Sequence, residues 1–276
     1  MELQRDLDRI HKQGLGVAAV SYDSVAVLKN FADRQHIAFP LLSDADSKII
    51  RSFGIFNDTV PAGTFAYGIP YPGTFIIDAK GNVVSKYFED DYRERVSSSD
   101  ILVREFGQSA ETVPGVVDNK HLRIQSSAST LIALPGHRIS LVLDIDLKAK
   151  MHVYAPGVQG YIPIEWTLES SPAAKPHNFD YPASKMLHLE VINETVPVYR
   201  DHVRLQREIT FGAENQLKPL LNATGELVLK GAFKYQACDD RECYLPATIP
   251  LEWRFKFEGL DRERAPKELQ RKAEAK

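Results

Sequence analysis

RISLVLDID, residues Arg138–Asp146, marks the point where the chain changes character. Ile139, Leu141, Leu143 and Ile145 fall on alternate positions, the period of a strand with one buried face. Asp144 and Asp146 stand between and after them as its wet face. Downstream the same habit continues, with strands expected at Ile164–Leu168, Val203–Phe211, Glu226–Ala232 and Ala247–Phe257. Turns rich in Pro and Gly separate them at the intervals of a β-sandwich.

Upstream the period is different. Leu3, Leu7 and Ile10 recur at helical spacing and Gly14 closes that helix. GVAAVS (Gly16–Ser21) is a short apolar run of the kind a parallel sheet buries on both faces. Asp23 or Ser24 can cap a second helix whose inner stripe is Val27, Leu28, Phe31 and Ala32. Phe39–Leu42 is a brief extended piece. Asp44 or Asp46 starts a third helix that stacks Ile49, Ile50 and Phe53 and stops at Gly54. Thr74–Asp78 and Val83–Phe88 read as strands around the turn Ala79–Asn82, and a last helix opens at Ser99. Alternating helix and strand predict an α/β three-layer domain over residues 1–107. Residues 108–119, centred on Pro114-Gly115, read as a linker, 120–259 as the β-sandwich, and 260–276 as a charged, frayed tail. The run Asp90-Asp91-Tyr92-Arg93-Glu94-Arg95 reads as a solvated loop. A parallel sheet needs a strand feeding each crossover helix, yet the first helix has none before it and no N-cap at Met1 or Glu2. The expectation is therefore that it is the remainder of a longer helix.

Composition closes several doors. The formal net charge is −3 and no basic stripe exists, so nucleic acid has no electrostatic foothold. No apolar run approaches the roughly 18–20 residues of a spanning helix, and the start lacks a signal-peptide profile, so no membrane insertion is expected. There is no Gly-rich phosphate loop, no Ser-His-Asp arrangement and no supported pair of carboxylates, and no cofactor is implied.

What remains are the two cysteines, Cys238 and Cys243. Two thiols rule out a disulfide-rich scaffold. Zinc would need four ligands, and the nearest histidines, His188 and His202, read as surface residues. A hairpin or tight loop over the four intervening residues can bring the Cα atoms within bridging range. Asp239, Asp240 and Glu242 make that loop polar, exposed and acidic. Acidic neighbours raise a thiol's pKa, so the pair is suited to being attacked by a partner's thiolate. A reversible redox disulfide, a purely structural bridge and two inert thiols all remain open. In MHVYAP, His152 and Tyr154 read as a strand edge with a packed tyrosine, the alternative being that they line the approach to the cysteines.

Two resemblances sharpen this reading. GVAAVSYDSVAVLKNFA, FPLLSDADSKIIRSFGI, GIPYPGTFIIDAKGNVV and KYFEDDYRER, in this order, resemble the AhpC/TSA class of thioredoxin-fold redoxins and peroxiredoxins over residues 1–106. The resemblance places that family's catalytic cysteine just before Met1. Where many peroxiredoxins carry an arginine stands Tyr71-Pro72-Gly73, and Pro72 resembles the cis-proline that faces the disulfide of thioredoxin-like reductases. An ordinary trans turn proline is the alternative. MHVYAPGVQGY (Met151–Tyr161), VPVY (Val196–Tyr199) and YQACDDRECYLP (Tyr235–Pro246) resemble the N-terminal, alpha domain of the DsbD thiol:disulfide interchange proteins. That domain is an immunoglobulin-like sandwich whose two cysteines pass electrons between partners. The combined implication is a thiol–disulfide redox protein, antioxidant or interchange in role, acting through Cys238 and Cys243. Pro72, Asp239 and Asp240 would support the pair, and the partner would be a thiol or disulfide protein, thioredoxin-like or a membrane reductase. The alternative is a non-catalytic, redoxin-derived scaffold. A cytoplasmic place follows if Met1 is the natural start, a periplasmic one from the second resemblance.

Overall fold

The computed structural model describes residues 2–270 except 65, 90, 92, 109–110 and 190–192, with the backbone alone at 111–114. Asp90 and Tyr92 of the charged loop, and the last six residues of the tail, therefore lie outside the described residues. The chain forms two compact units, Met1–Ser98 with Asp261–Lys276, and Ser99–Leu260.

The first unit runs α1 (Glu2–Lys12), β1 (Ala19–Ser21), α2 (Val25–Gln35), β2 (Leu41–Ser43), α3 (Lys48–Ser52), β3 (Gly73–Ile77), β4 (Val83–Phe88) and β5 (Arg95–Val96). β1 and β2 pair in parallel, while β3 and β4 form an antiparallel hairpin. Ser24 is the cap of α2, its Oγ accepting from the Val27 amide. Asp44 does the corresponding work at α3 and accepts from the amides of Ile49 and Ile50, so the free N–H groups of that helix start are satisfied. In the turn between β3 and β4, Asp78 accepts from the amides of Lys80 and Asn82. Asp261, at the start of the tail, pairs with Arg34 of α2 at 2.8 Å.

Pro72 stands immediately before β3. The structure contains no cis peptide among the described residues, so the Tyr71–Pro72 bond is trans and the cis-proline expectation is corrected. The reason is a pairing between two segments of the chain. Pro70 bridges Phe56 in antiparallel register, and the Tyr71 amide donates to the Ile55 carbonyl at 2.7 Å. These contacts draw the chain straight into β3, a path that an extended residue before a trans proline fits.

The second unit holds α4 (Ser98–Phe106) from Ser99 onward, then β6 (Glu111–Asp118), β7 (Leu122–Ala128), β8 (Ile132–Ala133), β9 (His137–Leu147), β10 (His152–Tyr154), β11 (Glu165–Leu168), β12 (Ala174–Pro176), β13 (Lys185–Leu189), β14 (Glu194–Arg200), β15 (His202–Phe211), α5 (Glu214–Leu217), β16 (Glu226–Tyr235), β17 (Ala237–Cys238) and β18 (Ala247–Phe257). Where the sequence reads as a linker, β6 pairs with β7 in antiparallel register. One sheet runs β12-β15-β9-β7-β6 and a second β11-β16-β18-β8. Ile139, Leu141, Leu143, Leu205 and Ile209 of the first share a single core with Phe233, Trp253 and Phe255 of the second. Trp253 Nε1–H donates across to the Ser127 carbonyl at 3.1 Å. A third, smaller sheet, β13-β14-β10-β17, carries the cysteines.

β9 departs from simple alternation. Ile139, Leu141, Leu143 and Ile145 are fully buried as expected, but so are Ser140 and Val142 on the opposite face. α4 covers that face, with Val103 packing on Val142 and Asp100 hydrogen-bonded to the Ser140 hydroxyl. Arg104 of the same helix pairs with Glu208 of β15 at 3.1 Å. Asp100 is fully buried, and burial raises its pKa to about 7 despite the Ser140 hydrogen bond.

A carboxyl group whose folded pKa lies above its unfolded value favours the fold while protonated and loses that contribution as pH rises toward the folded value. Asp100→Asn keeps the shape and removes the ionisation. Its stability relative to the parent chain should therefore rise by about 2–3 kcal/mol between pH 5 and pH 8, read by urea unfolding at both values. Equal changes in the two chains would contradict the assignment.

Candidate functional site

The cysteine site is built on β10. Its residues pair with β14 on one side, His152 opposite Arg200 and Tyr154 opposite Val198. On the other side they pair with β17, so that His152 stands opposite Cys238. Directly paired residues of antiparallel strands present their side chains on the same face, and Tyr154, two residues on, shares that face. The register alone thus brings His152, Tyr154 and Cys238 together.

Cys238 and Cys243 form a disulfide, with Cα atoms 4.0 Å apart. The two sulfurs are not equivalent, because Cys238 is 1% exposed whereas Cys243 lies at the surface. The Tyr154 hydroxyl is 3.6 Å from Cys238 Sγ and 3.5 Å from Cys243 Sγ. With both sulfurs oxidised, the tyrosine O–H is the donor of that contact. Burial raises the pKa of Tyr154, with Glu194 adding to it, so the hydroxyl keeps its proton at neutral pH. Tyr161 stacks on Tyr154 with ring centres 4.4 Å apart and donates to Glu194 at 2.7 Å. That hydrogen bond pushes the Tyr161 pKa up to about 12. The stacked tyrosine limits the freedom of the Tyr154 ring.

The intervening loop closes through Asp239. Its carboxylate accepts from the amides of Arg241 and Glu242 and from the Tyr244 hydroxyl at 2.9 Å, and these bonds hold its pKa below the usual range. The Asp239 amide donates to the Glu242 carbonyl, and the Tyr244 amide to that of Ala237. Asp239 therefore shapes the loop, while Asp240 is exposed at its tip. His121 lies against the Tyr244 ring, the ring centres 4.6 Å apart. Leu245, two residues after Cys243, is 88% exposed.

Of the residues singled out from sequence, Cys238, Cys243, Asp239 and Asp240 come together here, and Pro72 belongs to the first unit. Tyr154 is packed in its strand as expected, but β10 is an interior strand and not an edge, and the Tyr154 hydroxyl also touches both sulfurs, as the alternative reading has it. Tyr161 and Glu194 carried no such signal.

Two families account for most of the chain: residues 1–86 match the AhpC/TSA family, and residues 121–251 match the N-terminal domain of thiol:disulfide interchange protein DsbD. Both matches are to families of thiol redox proteins. Peroxiredoxin Bcp of Escherichia coli (strain K12) is 31% identical over 91 residues, which is 33% of this chain and 56% of that protein. Peroxiredoxin Bcp of Xanthomonas campestris pv. campestris is 35% identical over 81 residues, 29% of this chain and 50% of that protein. The chain thus spans about half the length of the curated relatives it matches. Among solved structures, the N-terminal periplasmic domain of ScsB from Proteus mirabilis covers 51% of this chain and half of its own, at 12% identity and a TM-score of 0.34. No helix among the described residues is long and apolar enough to cross a membrane.

The geometry predicts the direction of disulfide opening. Were the disulfide to be opened by a thiolate, the exposed Cys243 is the sulfur it would reach, and Cys238 would leave beside the Tyr154 hydroxyl. Tyr154→Phe should slow reduction of the disulfide by excess dithiothreitol by about tenfold, the worth of one hydrogen bond to a charged group. The time course of alkylation checks this, and an unchanged rate would remove the tyrosine from the step.

Proposed function

We propose that this chain passes electrons through Cys238 and Cys243 to or from a thiol or disulfide protein partner, in an interchange role. The observation that carries the reading is the asymmetry of the pair: an exposed sulfur at Cys243, a buried one at Cys238, and one tyrosine hydroxyl in reach of both. The resemblance to the DsbD N-terminal domain, whose name is that of an interchange protein, points the same way. The second unit is read accordingly as an immunoglobulin-like sandwich, supported by its two sheets around one core.

The exchange balances as follows. A partner thiolate attacks Cys243 Sγ, and the new sulfur–sulfur bond forms as the Cys238–Cys243 bond breaks. The electron pair moves to Cys238, which takes up a proton. The partner's second thiol then attacks its own sulfur in the mixed disulfide, and Cys243 leaves as a thiolate that is protonated in turn. The partner ends as a disulfide and this chain as a dithiol, two electrons and two protons having crossed. The same steps run in reverse when this chain is the reductant.

A structural bridge is the weaker reading because the loop is already closed. The Asp239 carboxylate and two backbone hydrogen bonds hold it without the sulfurs. Closing so short a loop contributes only about 2 kcal/mol. Peroxidase chemistry is not assigned, since residues 1–86 contain no cysteine and the chain has two in all, both in the second unit.

Single-cysteine variants test the reading. Cys238→Ser leaves the exposed thiol and should accumulate a mixed disulfide with a thioredoxin whose second active-site cysteine is replaced by serine and whose remaining thiol is presented as its thionitrobenzoate disulfide. Cys243→Ser leaves only the buried thiol and should trap at least tenfold less. Equal trapping by both variants, or trapping by neither, would contradict the assignment of Cys243 as the point of attack.

A further inference from the structure

His152 stands opposite Cys238 in the β10–β17 ladder and is 1% exposed. Neither of its ring nitrogens has a hydrogen-bond partner among the described residues. This is unusual, because a histidine held in a core normally satisfies both nitrogens, and an unpaired buried polar group calls for a reason. The ring meets Tyr154 edge-on at 5.6 Å, and Tyr154 in turn touches both sulfurs. The imidazole therefore lies on the same face as the one sulfur that has no access to water for its proton.

We propose that His152 is the proton-exchange group of Cys238, neutral beside the disulfide and protonated beside the Cys238 thiolate. The inference rests on the interchange reading of the cysteine pair and adds to it the fate of the buried proton. When the chain acts as reductant and forms a mixed disulfide at Cys243, Cys238 must lose its proton before attacking Cys243 Sγ. His152 accepts that proton, the Cys238–Cys243 bond forms, the partner's sulfur leaves with the electron pair, and the imidazolium, no longer beside a thiolate, releases its proton to solvent. In the opposite direction Cys238 leaves as a thiolate, and His152, neutral until then, takes up a proton from solvent and holds it beside the new charge. His152 and Cys238 then titrate as a coupled pair rather than as two independent groups.

The charges around the ring suit this exchange. Arg200 faces His152 from β14, while Asp239 and Asp240 follow Cys238 on the other side, with Tyr154 on its own strand. Burial, with Arg200 adding to it, lowers the pKa of His152 in the disulfide form, and the two aspartates oppose the shift. The ring is thus held neutral at physiological pH until a negative charge appears beside it. The Cys238 thiolate is that charge.

The test is a histidine NMR titration of the full chain in both redox states, with the His152 signal assigned by its loss in His152→Phe. Alkylation and mass measurement report the state of the cysteines in the same samples. The expected result is a His152 that binds its proton at least tenfold more tightly in the reduced chain than in the oxidised one. In Cys238→Ser, which carries no thiolate at that position, His152 should titrate as in the oxidised chain. An unchanged titration in a chain shown to be reduced would overturn the role of His152 and leave the redox pair standing. An equal rise in Cys238→Ser would overturn it too, by tracing the change to loop rearrangement. A pair that resists reduction altogether would overturn both the interchange reading and this one.

Discussion

The site depends on one register, His152 opposite Cys238 in the β10–β17 ladder. Because side chains alternate across a strand, a slip of one residue would turn Cys238 to the other face and part its sulfur from Tyr154. The register is fixed from both sides. β14 holds β10 through three residue pairs, and the Tyr154 carbonyl accepts from the Ile164 amide beyond the strand's end. The cysteine loop adds little to this, since β17 is only two residues long. A short strand anchored to a firmly held neighbour can keep one sulfur fixed while its partner stays within reach of solvent.

The larger core explains why such a small sheet can be positioned at all. Val153, between His152 and Tyr154 of β10, points the other way and joins the aromatic core around Trp253 and Phe233. β10 therefore serves two environments, with Val153 anchoring the strand and His152 and Tyr154 facing the sulfurs. α4 plays a comparable part on β9, turning what would have been a wet face into a buried one. The cost of that burial falls on Asp100, whose carboxyl is pushed toward neutrality by desolvation.

Much of this was legible in the residues. The alternation of Ile139, Leu141, Leu143 and Ile145 named the strand and its inner face, and β4 and β18 follow the bounds that their apolar patterns indicate. CDDREC announced a pair that could close, since four polar residues between two cysteines suit a tight exposed loop. The β13–β14 hairpin was less visible, because Pro197 and a half-exposed inner face blur its period. Ser140 and Val142 looked exposed because no sequence pattern says which helix will cover a sheet. Pro72 is trans because Ile55 and Phe56 draw the chain straight, a contact between segments that neighbouring residues do not reveal. Tyr154 could be placed near the cysteines only as an alternative, for the same reason: a tyrosine in a strand is ordinary until the partner strand places a sulfur beside its hydroxyl.

The central claim is that Cys238 and Cys243 form an electron-carrying pair, and its most direct test is their equilibrium potential. The full chain is equilibrated with graded glutathione or dithiothreitol redox mixtures, and the free thiols are alkylated and counted by mass. The account predicts a reversible two-electron transition within the range of cellular thiol pools, roughly −180 to −300 mV. A transition only under far stronger reductant, or none, would contradict it and leave a disulfide that merely closes a loop.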